Sequence, residues 1–125
     1  MFSSILINKV KLETKYTGGE ILHEHDDCIR MAYEWLDAQK KTIGVSKKIF
    51  AIKHIIEKWS GRYISQSDVD VAAHIHPEVK GYYPYFNISS RLTLPNIDRL
   101  KGILQAHTQD YEIDESSRKL YYREE

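Results

Sequence analysis

Side chains able to bind a metal concentrate at two places in the chain. The segment HEHDDC at 23–28 supplies nitrogen, oxygen and sulfur donors, and His74 and His76 supply two more nitrogens. Tetrahedral zinc needs three or four converging ligands, which often come from paired motifs such as CxxC or HxxxH. Neither spacing occurs here, so we predict no metal and no cofactor. Whether His23 or His25 meets His74 or His76 in the fold is left open.

The chain offers little for catalysis. Cys28 beside a histidine would be a nucleophile, but it borders the apolar face of a predicted helix, where cysteine usually serves as a small hydrophobe. A glycine-rich phosphate loop, a GxSxG motif and a paired-carboxylate motif are all missing from the sequence. We therefore predict that the protein is not an enzyme.

Tyrosine is abundant, with nine residues among 125. Five of the nine fall in two clusters, at 82–85 and 121–122. Tyrosine provides a large contact area with a polar end, which suits protein interfaces and also stacking on unpaired bases. We predict a protein interface at Tyr82, Tyr83 and Tyr85, and Tyr83 and Phe86 are the two aromatic residues best placed to seal the core instead.

Charge is balanced overall but uneven along the chain. Lys and Arg total 18, as do Asp and Glu. Residues 40–62 contain seven basic residues and one glutamate, whereas 20–37 contain six carboxylates and one arginine. Residues 110–125 hold six carboxylates against three basic residues. The basic block, including Lys47 and Lys58, suits contact with phosphate, or it faces the acidic helix of the same molecule.

Apolar spacing predicts the elements that position these residues. Repeats at three and four residues indicate helices, and alternation indicates strands. The expected helices cover 26–39, 45–59, a short stretch from Ser65 or Ser67 to the residue before Pro77, a single turn at 87–92, and 96–107. Alternation over 9–16 predicts a strand or a basic arm, and 111–113 with 120–122 predict a β-hairpin.

Composition bounds the class of protein. A chain of 125 residues with 42% hydrophobic and 29% charged residues is typical of one globular domain. No apolar run reaches the 18 or so residues of a transmembrane helix, and the first residues lack the pattern of a signal peptide. The single Cys28 excludes an internal disulfide and fits a reducing compartment. We expect a cytoplasmic protein with no membrane partner.

The order of elements over 49–123 resembles the winged helix-turn-helix superfamily. A long helix is followed by the short helix SDVDVAAHI, a connection through 77–85, the polar run NISSRLT and the segment YEIDESSRKLYYR. With this resemblance, the predicted elements together give one mainly helical α+β domain over 1–125, similar to a winged helix-turn-helix with a small C-terminal β-hairpin and a possible N-terminal strand. Its parts would be an N-terminal strand or arm at 1–19, a helical core at 26–109 and a β-hairpin, the wing, at 110–125.

The resemblance also implies a function. The helix after the turn would enter the DNA major groove, and the wing would lie beside the backbone. The implied contacts are Asn87, Ser89, Ser90, Arg91, Thr93, Arg99 and Lys101, to which the basic block adds Lys47 and Lys58. We therefore predict a DNA-binding regulator of a phage, plasmid or bacterial system. The alternative is a protein-binding adaptor or inhibitor that acts through its acidic helix and its tyrosine-rich loop.

Overall fold

A computed structural model describes residues 2–48 and 50–125, so Met1 and Ile49 lie outside it. The described residues form an α+β fold that is mainly helical. In chain order the elements are α1 (Ser4–Glu13), α2 (Asp26–Ala38), α3 (Ile52–Ser60), α4 (Gln66–Ile75), β1 (Gly81–Tyr82), β2 (Tyr85–Phe86), β3 (Leu92–Leu94), a 3-10 helix (Ile97–Leu100), α5 (Glu115–Arg118) and β4 (Tyr121–Glu124). None of the described helices is long and apolar enough to cross a membrane.

The strand predicted at 9–16 is wrong, because Ser4–Glu13 form helix α1. The Ser3 hydroxyl caps the helix by accepting a hydrogen bond from the Leu6 N–H at 3.3 Å. Ile7 and Val10, three residues apart, are both buried on the side that packs against α4. Leu12 is 90% exposed, although alternation placed it on the same face as Val10.

Helices α2 and α4 form the centre of the fold, and both were predicted. They pack against each other over their apolar faces, with Ile29, Ala32, Val69 and Ala72 fully buried. The Ser65 hydroxyl caps α4 by accepting from the Asp68 N–H at 3.1 Å. Helix α4 ends before Pro77, as expected from the restriction that proline imposes on the residue before it.

The predicted helix at 45–59 is shorter in the structure. Helix α3 begins at Ile52 and ends at Ser60, and Gly61 caps it with a left-handed φ of 67°. Residues 40–46 instead lie beside β2. The Ser46 N–H donates to the Phe86 carbonyl at 3.0 Å, so the backbone there bonds to another segment and not within a helix. Ile49, which the sequence predicts to lie in this helix, is outside the described residues.

The helical turn predicted at 87–92 is wrong, and the helix predicted at 96–107 is reduced to one short 3-10 helix. Strand β3 occupies Leu92–Leu94, and within 96–107 only Ile97–Leu100 is helical. Gly102, with φ of 80°, turns the chain away from the helical path. Leu100 and Ile103 are still buried, but Leu104 is 86% exposed.

The predicted C-terminal hairpin is also wrong. Strand β4 pairs in parallel with β3, with Leu92 opposite Tyr121, and residues 111–113 form no strand. The indole N–H of Trp35 donates to the Tyr121 hydroxyl at 3.0 Å, which ties β4 to the core through α2. The two segments that the resemblance assigned to DNA reading, the recognition helix and the wing, thus have other structures.

Candidate binding surface

Two of the predicted DNA contacts are buried and bonded within the protein. The side-chain amide of Asn87 donates to the Glu78 carbonyl at 3.0 Å, and its oxygen accepts from the Lys80 N–H at 2.6 Å. Thr93 is 4% exposed, and its backbone N–H and carbonyl bond to the side chain of Gln39 at 2.9 and 2.8 Å. Both residues hold the fold together and are unavailable to DNA.

Arg99 is surrounded by carboxylates. Its guanidinium lies 2.9 Å from Glu34 and 2.9 Å from Asp37, and its Nε donates to Glu125 at 2.7 Å. The hydrogen bonds that Arg99 donates to Glu125 are the main cause that raises the pKa of Arg99 above its ordinary value. Three carboxylates around one guanidinium oppose the approach of a phosphate.

The remaining predicted contacts are exposed or half-buried at separate places. Ser89 accepts from the Arg91 N–H at 3.1 Å, and the Arg91 guanidinium lies 4.8 Å from the centre of the Tyr122 ring. Lys101 lies 3.2 Å from Asp98, and Lys58 lies 3.2 Å from Asp114. Those two lysines are each partly neutralised by an acidic neighbour. Ser90 and Lys47 are exposed.

The acidic helix offers little open surface. In α2, Asp26 lies 3.2 Å from Lys11 and Asp27 lies 2.6 Å from Arg30. Glu34 and Asp37 both face Arg99. These carboxylates are therefore engaged within the molecule, and a basic partner would have to compete for them.

The histidines bind different carboxylates or backbone groups. His23 Nδ1 is 2.7 Å from Asp68, His76 Nε2 is 2.8 Å from Asp37, and His25 accepts from the Asp27 N–H at 2.9 Å. His74 lies 3.9 Å from Glu13. Over residues 2–48 and 50–125, no group of three or more His, Cys, Asp or Glu side chains is arranged to hold a metal ion.

Cys28 is a buried thiol. It is fully inaccessible to solvent, and burial raises its pKa to about 12. The thiolate is the nucleophilic form of cysteine. Cys28 is therefore an unreactive core residue, in agreement with its place on the apolar face of α2.

Lysines and tyrosines come together where residues 40–48 lie beside the β1–β2 hairpin. The Thr42 N–H donates to the Asn87 carbonyl at 2.8 Å, and the Ser89 N–H donates to the Lys40 carbonyl at 2.7 Å. The Val45 side chain lies against Gly81 of the hairpin. These contacts are made by backbone groups and one aliphatic side chain, and Lys40, Lys47 and Lys48 remain exposed. Lys41 is half-buried, and its ammonium donates to the carbonyls of residues 36, 37 and 39.

We call this region the lysine–tyrosine surface; its residues are Lys40, Lys47, Lys48, Lys80, Tyr82 and Tyr85, all exposed. Tyr82 and Tyr85 face each other across the hairpin and are 59% and 41% exposed. Tyr83 points inward, where its hydroxyl accepts from the Lys53 N–H at 3.1 Å and its ring packs on Phe86.

Sequence reasoning found part of this surface. It selected Lys47, Tyr82 and Tyr85 but assigned them to different partners, and it did not single out Lys40, Lys48 or Lys80. The sequence feature that could have indicated these lysines is the basic block at 40–62, because its first part precedes α3, which begins at Ile52. That the block would lie beside the tyrosines depends on hydrogen bonds between distant segments.

No family model, curated protein or solved structure matches the chain significantly. The functional interpretation therefore depends on the geometry of the lysine–tyrosine surface.

Proposed function

We propose that the protein is a non-enzymatic, cytoplasmic binding module that takes up single-stranded DNA on the lysine–tyrosine surface. The observation that supports this proposal is the position of residues 40–48 beside the β1–β2 hairpin, which groups exposed lysines with exposed tyrosines. Proteins that bind single strands combine a basic groove along the backbone with aromatic side chains on which bases stack.

An unpaired strand suits this surface better than a duplex. Tyrosine can stack on a base only where the face of the base is free. Reading of the major groove usually needs a helix or a two-stranded ribbon with polar side chains directed outward. The segment expected to supply such a helix holds β3, and two of its polar residues, Asn87 and Thr93, are buried.

Zero net charge requires the attraction to phosphate to be local. The four lysines of the surface would neutralise at most about four phosphates, which predicts a slope of about −3 for the logarithm of the binding constant against the logarithm of salt concentration. Affinity should thus fall clearly between 50 and 200 mM salt. A more strongly basic protein would give a steeper slope.

The test is fluorescence anisotropy with a labelled single-stranded oligonucleotide of mixed sequence at about 50 mM salt. Replacing Lys47 and Lys48 by Ala should weaken binding roughly tenfold, because two of about four phosphate contacts are lost. The matched control replaces Lys58 and Lys101, which are next to Asp114 and Asp98, and should change affinity less than twofold. Absence of binding by the unmodified protein, or equal losses in both double variants, would contradict the proposal.

A second candidate function is binding to another protein through aliphatic side chains of residues 40–48, next to the lysine–tyrosine surface. It is favoured by Ile43, which is fully exposed, and Val45, which is 50% exposed, because aliphatic and aromatic side chains together are typical of interface centres. Replacing Ile43 by Ser should abolish capture of a protein partner from lysate while leaving oligonucleotide binding unchanged. Unchanged capture by this variant would contradict the second candidate.

A further inference from the structure

A cleft of about 500 Å³ opens beside the β1–β2 hairpin, between the end of α1 and the last turns of α4. Residues that border it and bear on its chemistry are Glu13, Lys15, Ala73, His74, Lys80 and Tyr82. We propose that this cleft binds one nucleotide of a single strand, with its base against Tyr82. The proposal rests on the proposed function, which it deepens by naming the unit of the ligand that enters the protein.

The size of the cleft and one apolar part of its otherwise half-polar lining suit a flat aromatic ligand. Sites for small ligands commonly have 300–1,000 Å³, largely apolar walls and a few polar groups. Here Tyr83 and Phe86 form an apolar wall, with their rings 6.1 Å apart and nearly perpendicular. Tyr82 lies at the opening and is 59% exposed, so a base can stack on its free face.

Glu13 and His74 supply exposed hydrogen-bonding atoms at the cleft. Their nearest atoms are 3.9 Å apart, which is too long for a hydrogen bond, and their side chains are 50% and 45% exposed. A carboxylate accepts from the amino groups of bases, and an imidazole can donate or accept according to its tautomer. A base whose edge lies beside this pair can therefore bond to either side chain.

The other polar residues of the cleft are occupied. Asp70 is 6% exposed and accepts from the Thr17 N–H at 2.9 Å and from the Thr17 hydroxyl at 3.0 Å. The His76 ring is next to Asp37 at 2.8 Å and accepts from the Glu78 N–H at 3.1 Å. These groups shape the wall, and the ligand would leave their bonds intact.

Lys15 and Lys80 lie on the rim, one after α1 and the other before β1, and both are exposed. A strand that places a base in the cleft would hold its flanking phosphates at this rim. Lys80 and Tyr82 belong both to the cleft and to the lysine–tyrosine surface. A strand bound on the lysine–tyrosine surface would therefore reach the cleft through these two residues.

The test compares an ordinary oligonucleotide with one that has a single abasic site in the middle. Each strand is short enough to bind only one protein molecule. The unmodified protein should bind the ordinary strand about tenfold more tightly, because the abasic strand has no base to stack on the tyrosine. Two variants should reduce this preference to about twofold or less. Ala73→Leu fills the cleft from α4, and His74→Ala removes an exposed side chain without loss of core packing.

The outcomes separate this inference from the proposed function. Lys47→Ala with Lys48→Ala should weaken both strands equally and keep the preference for the base. If the unmodified protein bound the two strands equally well, the cleft proposal would be overturned but the DNA proposal would stand. The same holds if Ala73→Leu and His74→Ala are folded and still prefer the ordinary strand about tenfold. If no strand binds, titration with adenosine monophosphate followed by NMR decides. Shifts at His74 and Tyr82 would support the cleft alone, and no shift at either would overturn it.

Discussion

His23 Nδ1 lies 2.7 Å from Oδ1 of the fully buried Asp68. The other ring nitrogen lies 3.1 Å from the Tyr16 hydroxyl, which itself donates to the Lys11 carbonyl at 2.8 Å. A chain of polar contacts therefore runs from α1 through the segment before α2 into α4. It fixes residues 14–25, which have no helix or strand of their own, against the helical core.

His23→Ala should lower the free energy of unfolding by about 1–3 kcal/mol, because it leaves the buried Asp68 with fewer donors. Urea denaturation at neutral pH measures the change. The control is His74→Ala, whose side chain is 45% exposed and whose neighbour Glu13, 3.9 Å away, is itself 50% exposed. If the control lost as much stability as His23→Ala, the contact with Asp68 would not be the cause.

The interaction of Arg99 with Glu125 should make the folded protein less stable in acid. Its hydrogen bond to Glu125 is the main cause that lowers the pKa of that carboxyl in the folded protein. A lowered pKa contributes stability that is present above the ordinary value near 4.5 and is lost as pH falls through the folded value. Arg99→Met, which keeps most of the side-chain volume, should remove this contribution.

The measurement is the free energy of unfolding at pH 6 and pH 3. Going to pH 3 should cost the unmodified protein roughly 0.5–1 kcal/mol more than Arg99→Met, since the ion pair is partly exposed. Asp68 and Asp70 act in the opposite sense because burial raises the pKa of each. The unmodified protein and Arg99→Met share that effect, so the difference between their losses of stability reports the contribution of Arg99. Equal acid sensitivity would mean that the pair contributes nothing.

Cys28 should react with a thiol reagent only when the protein unfolds. Its burial and its pKa of about 12 leave almost no accessible thiolate at pH 8. Modification by Ellman's reagent should therefore be very slow in buffer and rapid in denaturant. A fast reaction of the native protein would show that α2 opens locally, since the thiol has no path to solvent in the folded state.

The elements predicted well are those whose signals are local. Helix α4 has its capping Ser65, its apolar face and Pro77 within one short segment. The pairing of β4 with β3 was not predicted, because the pairing of Leu92 with Tyr121 joins distant parts of the chain. Helix α1 was missed because Val10, Leu12 and Tyr16 happen to alternate, while the helical pair Ile7 and Val10 precedes most of that pattern.

The candidate site was predictable by residue type but not by position. Lysine and tyrosine are the expected side chains for an exposed binding surface, and Lys47, Tyr82 and Tyr85 were selected on that basis. Their grouping depends on the bond from the Ser46 N–H to the Phe86 carbonyl, and any residue but proline supplies a backbone N–H. The sequence therefore carries no direct sign of this contact.

Gly81 tests whether that grouping matters. Its φ is 93°, and a Cβ there would lie 2.7 Å from the Val45 Cγ1 and would also overlap the Tyr85 carbonyl. Gly81→Ala should therefore open the hairpin and separate it from residues 40–48. We expect oligonucleotide affinity to fall at least as far as in the variant lacking Lys47 and Lys48, although every lysine and tyrosine is still present.

Gly102→Ala is the matched control. Its φ of 80° carries the same strain of roughly 1–2 kcal/mol, but a Cβ at that position would meet no atom within 4 Å. Thermal unfolding and anisotropy are measured for both variants. Gly102→Ala should lower stability while keeping affinity within twofold, and Gly81→Ala should lose affinity even at temperatures where it is fully folded. Similar affinities in the two variants would mean that binding does not need residues 40–48 and the hairpin side by side.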